Sequence, residues 1–201
     1  MVRCLSDVEI RAAFMSSLLP SYLHDQRALV VEELGLRHGR ARIDLAIVNG
    51  ELLGFELKSD LDSLQRLPEQ AMVYNSVLDK ITLIVTERHL NAAIQQLPDW
   101  WGVLLAQLNS DGAVLFSEVR SSRTNPLVEK VAVARLLWRA EALGILEELG
   151  AAERFRSKPR VEIYSRLADL LDAETLRLKV RQKLFLRSDW RPDALRVSND
   201  G

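Results

Sequence analysis

Hydrophobic and polar positions in the first 120 residues switch between a helical period and a strand period. Ser6 and Glu9 form a capping-box pattern, which predicts a helix that ends near Pro20. Runs rich in apolar and β-branched residues predict six strands, at 28–36, 41–48, 52–58, 81–86, 101–108 and 113–119. Two further helices are predicted, at 60–78 with a kink or restart at Pro68, and at 88–96. The order α-β-β-β-α-β predicts an α/β (α+β) fold with a mixed central sheet flanked by helices.

The remainder of the chain has a helical pattern. Residues 121–125 (SSRTN) have the composition of a linker, and Pro126 suits the first turn of a helix. Apolar residues at helical spacing predict helices from there to a cap at Gly150, then at 161–171 and 173–186, with an irregular tail from Ser188. The pattern therefore divides the chain into a core at 1–120 and a helical, basic C-terminal region at 126–201.

The Asn49-Gly50 pair predicts a tight hairpin between the second and third strands, and the length of its loop decides which side chains meet. With a two-residue loop the numbers of paired residues sum to 99, and apolar and charged residues share a face. With a three-residue loop, Asn49-Gly50-Glu51, they sum to 100 and the faces separate. One face is then wholly apolar, with Ile43, Leu45 and Ile47 opposite Leu57, Phe55 and Leu53. We therefore expect the three-residue loop.

The same register places charged residues on the other face. Asp44 lies opposite Glu56 and Arg42 opposite Lys58, with Cβ atoms roughly 4.5–5.5 Å apart. Two carboxylates this close repel each other unless a cation lies between them, and Mg²⁺ can be held by one or two carboxylates. The alternative is a partly exposed sheet face on which these charges form ordinary ion pairs.

The spacing of Asp44 and the Glu56-Leu57-Lys58 triplet resembles the D-x(n)-E-x-K signature of the PD-(D/E)XK nuclease superfamily. The order of the predicted elements is similar to the core of that superfamily. Gln70 and Tyr74 resemble the Q-x-x-x-Y motif of its RecB-like branch, and the longer pattern resembles a small bacterial family of nuclease-like proteins. The resemblance covers residues 6–120 and implies a restriction-endonuclease-like core.

The resemblance implies a metal-dependent nuclease that hydrolyses the phosphodiester bonds of DNA. Asp44 and Glu56 would bind Mg²⁺, or Mn²⁺ as a substitute, together with the backbone carbonyl of Leu57. Lys58 would position or activate the attacking water. The metal would polarise a phosphoryl oxygen and lower the pKa of its bound water.

Other residues of the implied site have two interpretations. Glu9 would complete the metal shell, although its capping-box role explains it equally well, and Glu33 is a rival third carboxylate. Gln70 and Tyr74 belong to the implied catalytic set. Together with Arg66 they form one helical stripe that would face the site, whereas in the alternative Tyr74 is a core residue.

The net charge of −1 hides an uneven distribution. Residues 1–120 hold 11 Lys and Arg against 16 Asp and Glu, and residues 121–201 hold 16 against 12. An acidic first part suits a metal site and a basic second part suits a polyanion. The candidate nucleic-acid contacts are Arg42, Arg66, Arg154, Arg156, Lys158 and Arg160, and Arg177 and Arg181 align on one face of the last predicted helix. For the C-terminal region, a helical cap on the core or a dimerisation surface is the alternative.

Composition narrows the function classes. The chain is 48% hydrophobic and 27% charged, as globular proteins are, and no apolar run approaches the roughly 20 residues that span a bilayer. Cys4 is the only cysteine, which excludes an intrachain disulfide and a thiolate zinc cluster. We expect a cytoplasmic deoxyribonuclease with DNA as its partner, and a homodimer is one way to cut both strands. The alternative is a catalytically weak or inactive nuclease-like fold that serves as a nucleic-acid-binding or assembly module.

Overall fold

The computed structural model describes residues 3–23, 28–37, 39–187 and 196–197. The strands are β1 (Ala28–Leu36), β2 (Ala41–Val48), β3 (Leu52–Lys58), β4 (Lys80–Thr86), β5 (Gly102–Leu108), β6 (Val114–Arg120) and β7 (Arg196–Val197). The helices are α1 (Asp7–Ser17), α2 (Leu67–Asn75), α3 (Glu87–Gln96), α4 (Lys130–Ala134), α5 (Arg139–Glu148), α6 (Arg160–Leu170) and α7 (Ala173–Leu186). None of these helices is long and apolar enough to cross a membrane. The rest of the predicted irregular tail lies outside the described residues.

The seven strands form one mixed sheet in the order β6-β5-β4-β3-β2-β1-β7. β1, β2 and β3 make an antiparallel meander, whereas β3, β4 and β5 are parallel to one another. Parallel neighbours need crossover connections, and α2 and α3 supply them. The predicted mixed sheet flanked by helices, and with it the α/β class, is confirmed.

Both faces of the sheet are covered. On one face α1 places Ile10 and Phe14 against a core that includes Leu45 and Phe55. On the other face a larger core joins α2 and α3 to the four C-terminal helices. Because both faces are buried, β3 and β4 are apolar along most of their length, as strands in parallel sheets usually are.

The helix that follows β3 is shorter than the predicted range of 60–78. Asp62 closes a turn directly after the strand, because its carboxylate accepts hydrogen bonds from the backbone N–H of Ser59 at 2.7 Å and from the Ser59 hydroxyl at 2.5 Å. Pro68 then lies in the first turn of α2, where a missing N–H breaks no helical hydrogen bond. The prediction of a helix before Leu67 was wrong because these side-chain hydrogen bonds compete with helix formation.

The helical pattern after Pro126 is divided into two helices, α4 and α5. Between them the side chain of Glu141 accepts a hydrogen bond from the backbone N–H of Trp138 at 2.6 Å. This bond satisfies a donor that precedes α5, so the second helix can begin independently of the first. The predicted cap at Gly150 is confirmed, with a φ of +66°.

The side chains of β1 and β2 change faces at Glu33 and Asp44, which lie between two regular stretches of the β1–β2 pairing. Glu33 has a φ of +53°, a conformation that few residues other than glycine adopt. On one side of this point Leu45 lies in the core beneath α1, and on the other side Ile43 lies in the opposite core. The prediction that Ile43 shares a face with Leu45 and Ile47 was therefore wrong, because the strand does not alternate regularly through Asp44.

Asp79, just before β4, joins the C-terminal helices to the sheet. Its carboxylate accepts a hydrogen bond from the backbone N–H of Leu52 at 2.8 Å and pairs with Arg177 at 3.1 Å and Arg181 at 3.3 Å. Asn125, in the segment with linker composition, is buried and donates hydrogen bonds to two backbone carbonyls of the core. The ion pairs of Asp79 hold α7 against the sheet, and the hydrogen bonds of Asn125 hold the segment after β6 against the core.

Replacing Asp79 with alanine should lower the free energy of unfolding by roughly 3 kcal/mol, because two arginines lose a buried partner and the N–H of Leu52 loses its acceptor. Chemical denaturation followed by circular dichroism measures this change. As a matched control, Asp99→Ala removes the partner of Arg123 at an exposed position and should leave the free energy nearly unchanged. Equal losses in the two variants would contradict the role assigned to Asp79.

Candidate functional site

The hairpin between β2 and β3 has the register that a three-residue loop requires. The pairs run from Val48–Leu52 to Leu45–Phe55, so the residue numbers of every pair sum to 100. Gly50 has a φ of +100° in the loop, which glycine adopts without strain. The predicted register is confirmed, and it brings the segments that carry Asp44 and Glu56 side by side.

Asp44 lies one residue beyond the last pair of this ladder, and its side chain makes the next hydrogen bond. Oδ2 accepts the backbone N–H of Leu57 at 2.7 Å. Oδ1 lies 3.6 Å from the guanidinium of Arg11 in α1, and Arg11 also donates to the backbone carbonyl of Asp44 at 2.9 Å. Leu57 therefore contacts Asp44 through its N–H, and the nearest cation to the Asp44 carboxylate in the described residues is Arg11.

Glu56, on the central strand β3, is only 1% exposed, and both of its carboxylate oxygens have donors. Oε1 accepts from Nζ of Lys58 at 2.7 Å and from Nε2 of Gln70 at 2.8 Å. Oε2 accepts from the hydroxyl of Tyr74 at 2.8 Å, and this hydroxyl also lies 2.5 Å from the backbone carbonyl of Arg42. The helical stripe of Gln70 and Tyr74 thus faces the charged residues of β3 and forms one closed polar network with them.

Burial raises the pKa of both carboxyl groups. The pKa of Asp44 rises to about 7, because burial and then the charge of Glu56 outweigh the N–H of Leu57 and the cations Arg11 and Lys58. Burial also raises the pKa of Glu56, against the effect of its hydrogen-bond donors. Burial alone would lower the pKa of Arg11, but the carboxylates around it reverse this effect and raise the pKa.

The side chains at this site do not fit a divalent cation as they are arranged. Both oxygens of Glu56 accept from donors of the chain, and Asp44 is engaged by a backbone N–H and by Arg11. Among the residues that the structure describes, no three His, Cys, Asp or Glu side chains come together in a way that could hold a metal ion. We therefore derive no chemistry that passes through a metal.

The two candidates for a third carboxylate have other partners. Glu9 accepts hydrogen bonds from the backbone N–H of Ser6 at 3.0 Å and from its hydroxyl at 2.7 Å, and it pairs with an arginine near the N-terminus. This placement gives the carboxylate of Glu9 the capping-box role, which was one of its two interpretations. Glu33 lies 3.6 Å from both Arg11 and Arg42.

A groove of about 620 Å³ opens beside Asp44 and Gln70. Four arginines line it: Arg37 and Arg40 from the loop between β1 and β2, Arg42 from β2, and Arg66 from the residue before α2. Two of the predicted nucleic-acid contacts, Arg42 and Arg66, therefore lie in one groove. Arg37 and Arg40 were not among the predicted contacts, because isolated arginines in a turn have no periodic signal and only the fold brings them together.

The remaining predicted nucleic-acid contacts lie in the C-terminal helical region and do not line this groove. Arg156 and Lys158 pair with glutamates of α5 and α6 at 3.0 Å and 3.2 Å. Arg154 lies in a short 3-10 turn, and Arg160 is the first residue of α6. The two aligned arginines of α7 are the partners of Asp79. Much of the basic charge in this region is thus paired within the chain.

Comparison with known proteins gives one family. The family model of bacteriophage P4 protein cII matches residues 2–194. Protein cII of Enterobacteria phage P4 is 27% identical to the chain over 150 residues, which is 75% of this chain and 56% of that protein. The chain therefore spans little more than half the length of this curated relative. No solved structure matches the chain.

This match corrects the inference drawn from the nuclease resemblance. It includes every residue on which the resemblance rested, from Asp44 to Tyr74, and it points to phage protein cII rather than to the PD-(D/E)XK superfamily. Membership of that superfamily, phosphodiester hydrolysis and deoxyribonuclease activity were therefore wrong expectations. The D-x(n)-E-x-K pattern is too short to identify a family, since alternating charged residues on one strand face produce it readily.

The raised pKa of Asp44 makes the stability depend on pH. The folded state holds this proton more tightly than the unfolded state, so ionisation of Asp44 destabilises the fold progressively as the pH rises from about 4 to about 7. In Asp44→Asn the side chain cannot ionise but can still accept the N–H of Leu57. The free energy of unfolding of this variant, relative to wild type, should rise between pH 5 and pH 8 by up to about 3 kcal/mol.

Denaturation curves at a series of pH values measure this difference. Asp99→Asn is the control, because Arg123 holds the pKa of Asp99 below its usual range and its titration lies below this pH window. The control should differ from wild type by a constant amount between pH 5 and pH 8. A constant difference for Asp44→Asn as well would refute the raised pKa.

Proposed function

The chain belongs to the bacteriophage P4 protein cII family, and from this premise we propose that it is a DNA-binding protein that holds the phosphate backbone in its arginine-lined groove. The observation that carries the proposal is the presence of four guanidinium groups around one groove of about 620 Å³. Planar guanidinium groups bind phosphate oxygens through paired hydrogen bonds. The proposal concerns binding alone, and no reaction is part of it.

The arginines of the groove retain donors for a ligand. Arg40 and Arg66 form no ion pair with any residue that the structure describes, and the side chain of Arg42 is 56% exposed. Arg37 pairs at 3.3 Å with Glu129, whose side chain is 61% exposed, and exposed ion pairs of this kind are weak enough for a phosphate to replace.

The acidic residues of the groove do not cancel this positive charge. Asp44, Glu33 and Glu69 also line the groove. Glu33 already pairs with Arg11 and Arg42, and the pKa of about 7 at Asp44 reduces its negative charge near neutral pH. The groove is therefore locally positive on a chain whose net charge is −1, so binding should be electrostatic and sensitive to salt.

Contacts between arginine and phosphate determine where the protein lies on DNA, but they give no preference for a base sequence. Arginine contacts to phosphate fix the orientation of a protein on DNA, whereas base edges carry the sequence information. We therefore propose binding without strong sequence preference at this groove. The expected homodimer was tied to cutting both strands and is not part of this proposal.

We also propose that the core has a restriction-endonuclease-like arrangement, without its chemistry. The order α1-β1-β2-β3-α2-β4 and the parallel pairing of β3 with β4 support this finer description. The network of Glu56, Lys58, Gln70 and Tyr74 supports it as well, since the helix after β3 faces the charged residues of that strand. In this proposal the network stabilises the fold beside the groove.

Removal of the two arginines without ion pairs tests the function. The double variant Arg40→Ala/Arg66→Ala should bind a labelled DNA duplex more weakly, whatever its sequence, because phosphate contacts are lost. The slope of log Kd against log salt concentration should fall by about one for each contact removed, hence by about two. Fluorescence anisotropy at several salt concentrations, in EDTA, measures both quantities.

Arg123→Ala is the matched control, because Arg123 is an exposed arginine that pairs with Asp99 and does not line the groove. It should leave the affinity and the salt slope unchanged. An affinity of the double variant equal to that of wild type, or binding that does not weaken with salt, would rule out the groove as the DNA site. Tighter binding of single-stranded RNA than of duplex DNA would rule out DNA as the preferred partner.

A further inference from the structure

Arg11 extends from α1 into a group of carboxylates that come from α1, β1 and β2. Its guanidinium nitrogens lie 3.4 Å from the carboxylates of Asp7 and Glu32 and 3.6 Å from those of Glu33 and Asp44. It also donates to the backbone carbonyl of Asp44 at 2.9 Å. The side chain of Arg11 is only 20% exposed, so one largely buried cation contacts four carboxylates.

We propose that Arg11 is the resident cation of this acidic site and that the site consequently takes no divalent metal in the native protein. A Mg²⁺ ion requires carboxylate oxygens at about 2.1 Å in octahedral geometry. The planar guanidinium instead offers five N–H donors that point in several directions. It can therefore contact carboxylates on α1, β1 and β2 at the same time. Because an arginine stays charged at any physiological pH, its attraction for these carboxylates does not depend on pH through its own titration.

The second carboxylate of the site has a cation of its own. Lys58 lies 2.7 Å from Glu56 on the same strand, while Arg11 contacts Asp44 from the helix above. The two carboxylates that the nuclease resemblance assigned to one shared metal therefore each contact a separate side-chain cation. The two cations favour the charged forms of two nearby acidic groups in a largely buried position.

The inference does not rest on the proposal of DNA binding. The groove arginines line the same groove as Asp44, whereas Arg11 approaches Asp44 from α1 and does not line the groove. Variants of Arg40 and Arg66 test the groove, and variants of Arg11 test the cation, so each idea can fail without the other.

The test measures the Tm of the full chain in EDTA and in MnCl₂ or MgCl₂, at ionic strength matched with NaCl. Wild type should show no saturable rise of Tm. Arg11→Gln (R11Q) removes the charge that holds the carboxylates in their native arrangement, in which no three of the described acidic side chains could hold a metal. Without that charge the carboxylates can move together around Mn²⁺, so R11Q should gain a saturable rise of roughly 5 °C or more. Adding Asp44→Asn to R11Q should abolish that rise.

Two variants serve as controls. Arg3→Gln removes another arginine, which pairs with Glu9 at the start of α1, and it should stay insensitive to Mn²⁺. Arg11→Lys keeps a positive charge and should stay insensitive too. The proposal would be overturned if the Tm of wild type rose saturably with the metal and Asp44→Asn removed that rise. It would also be overturned if the Tm of R11Q did not respond to Mn²⁺. If R11Q is unfolded in EDTA, recovery of its circular dichroism spectrum in Mn²⁺ supports the proposal, and failure to recover overturns it.

Discussion

A carboxylate that is buried in the middle of a sheet must be hydrogen-bonded or neutralised, and Glu56 imposes this requirement on its surroundings. Lys58 neutralises it from the same strand, while Gln70 and Tyr74 reach it from α2. Since these two donors lie one helical turn apart, a single rotation of α2 satisfies both. The burial of one charge thereby orients α2 and places Arg66, at its start, beside the groove.

A second constraint acts at the point where β1 and β2 change faces. The left-handed backbone of Glu33 interrupts the alternation of side chains, and Asp44 on the neighbouring strand is turned toward the edge of β3. Carboxylates that regular strands would have spread over two faces thus gather around Arg11. The loop that carries Arg37 and Arg40 follows directly after β1 and lines the same groove as Glu33 and Asp44. The acidic site and the basic groove therefore lie next to each other at the same end of β1 and β2.

Several charged residues in the described part of the chain form ion pairs with one another. An acidic residue next to the sheet, Asp79, has two arginines of α7 as partners, and Asp44 and Glu56 have Arg11 and Lys58. A spacing of charged residues that resembles a catalytic signature can therefore have a structural origin. A structural pattern differs from a catalytic site in whether its carboxylate oxygens are free to bind a ligand. At Glu56 both oxygens accept hydrogen bonds from side chains of the protein.

The sequence by itself determined the features that lie within one element or one hairpin. These are the strands at 28–36, 41–48 and 52–58 and the hairpin register, because a slip of one residue would expose an apolar face. Tertiary structure alone decided which charged side chains meet, such as Asp44 with Arg11 and Asp79 with Arg177. Such contacts join positions that are far apart in the chain, so they depend on how helices pack against the sheet. The position of Ile43 was likewise decided by the tertiary structure. Its side chain lies in the other core because β1 and β2 change faces at Glu33, which has a left-handed backbone.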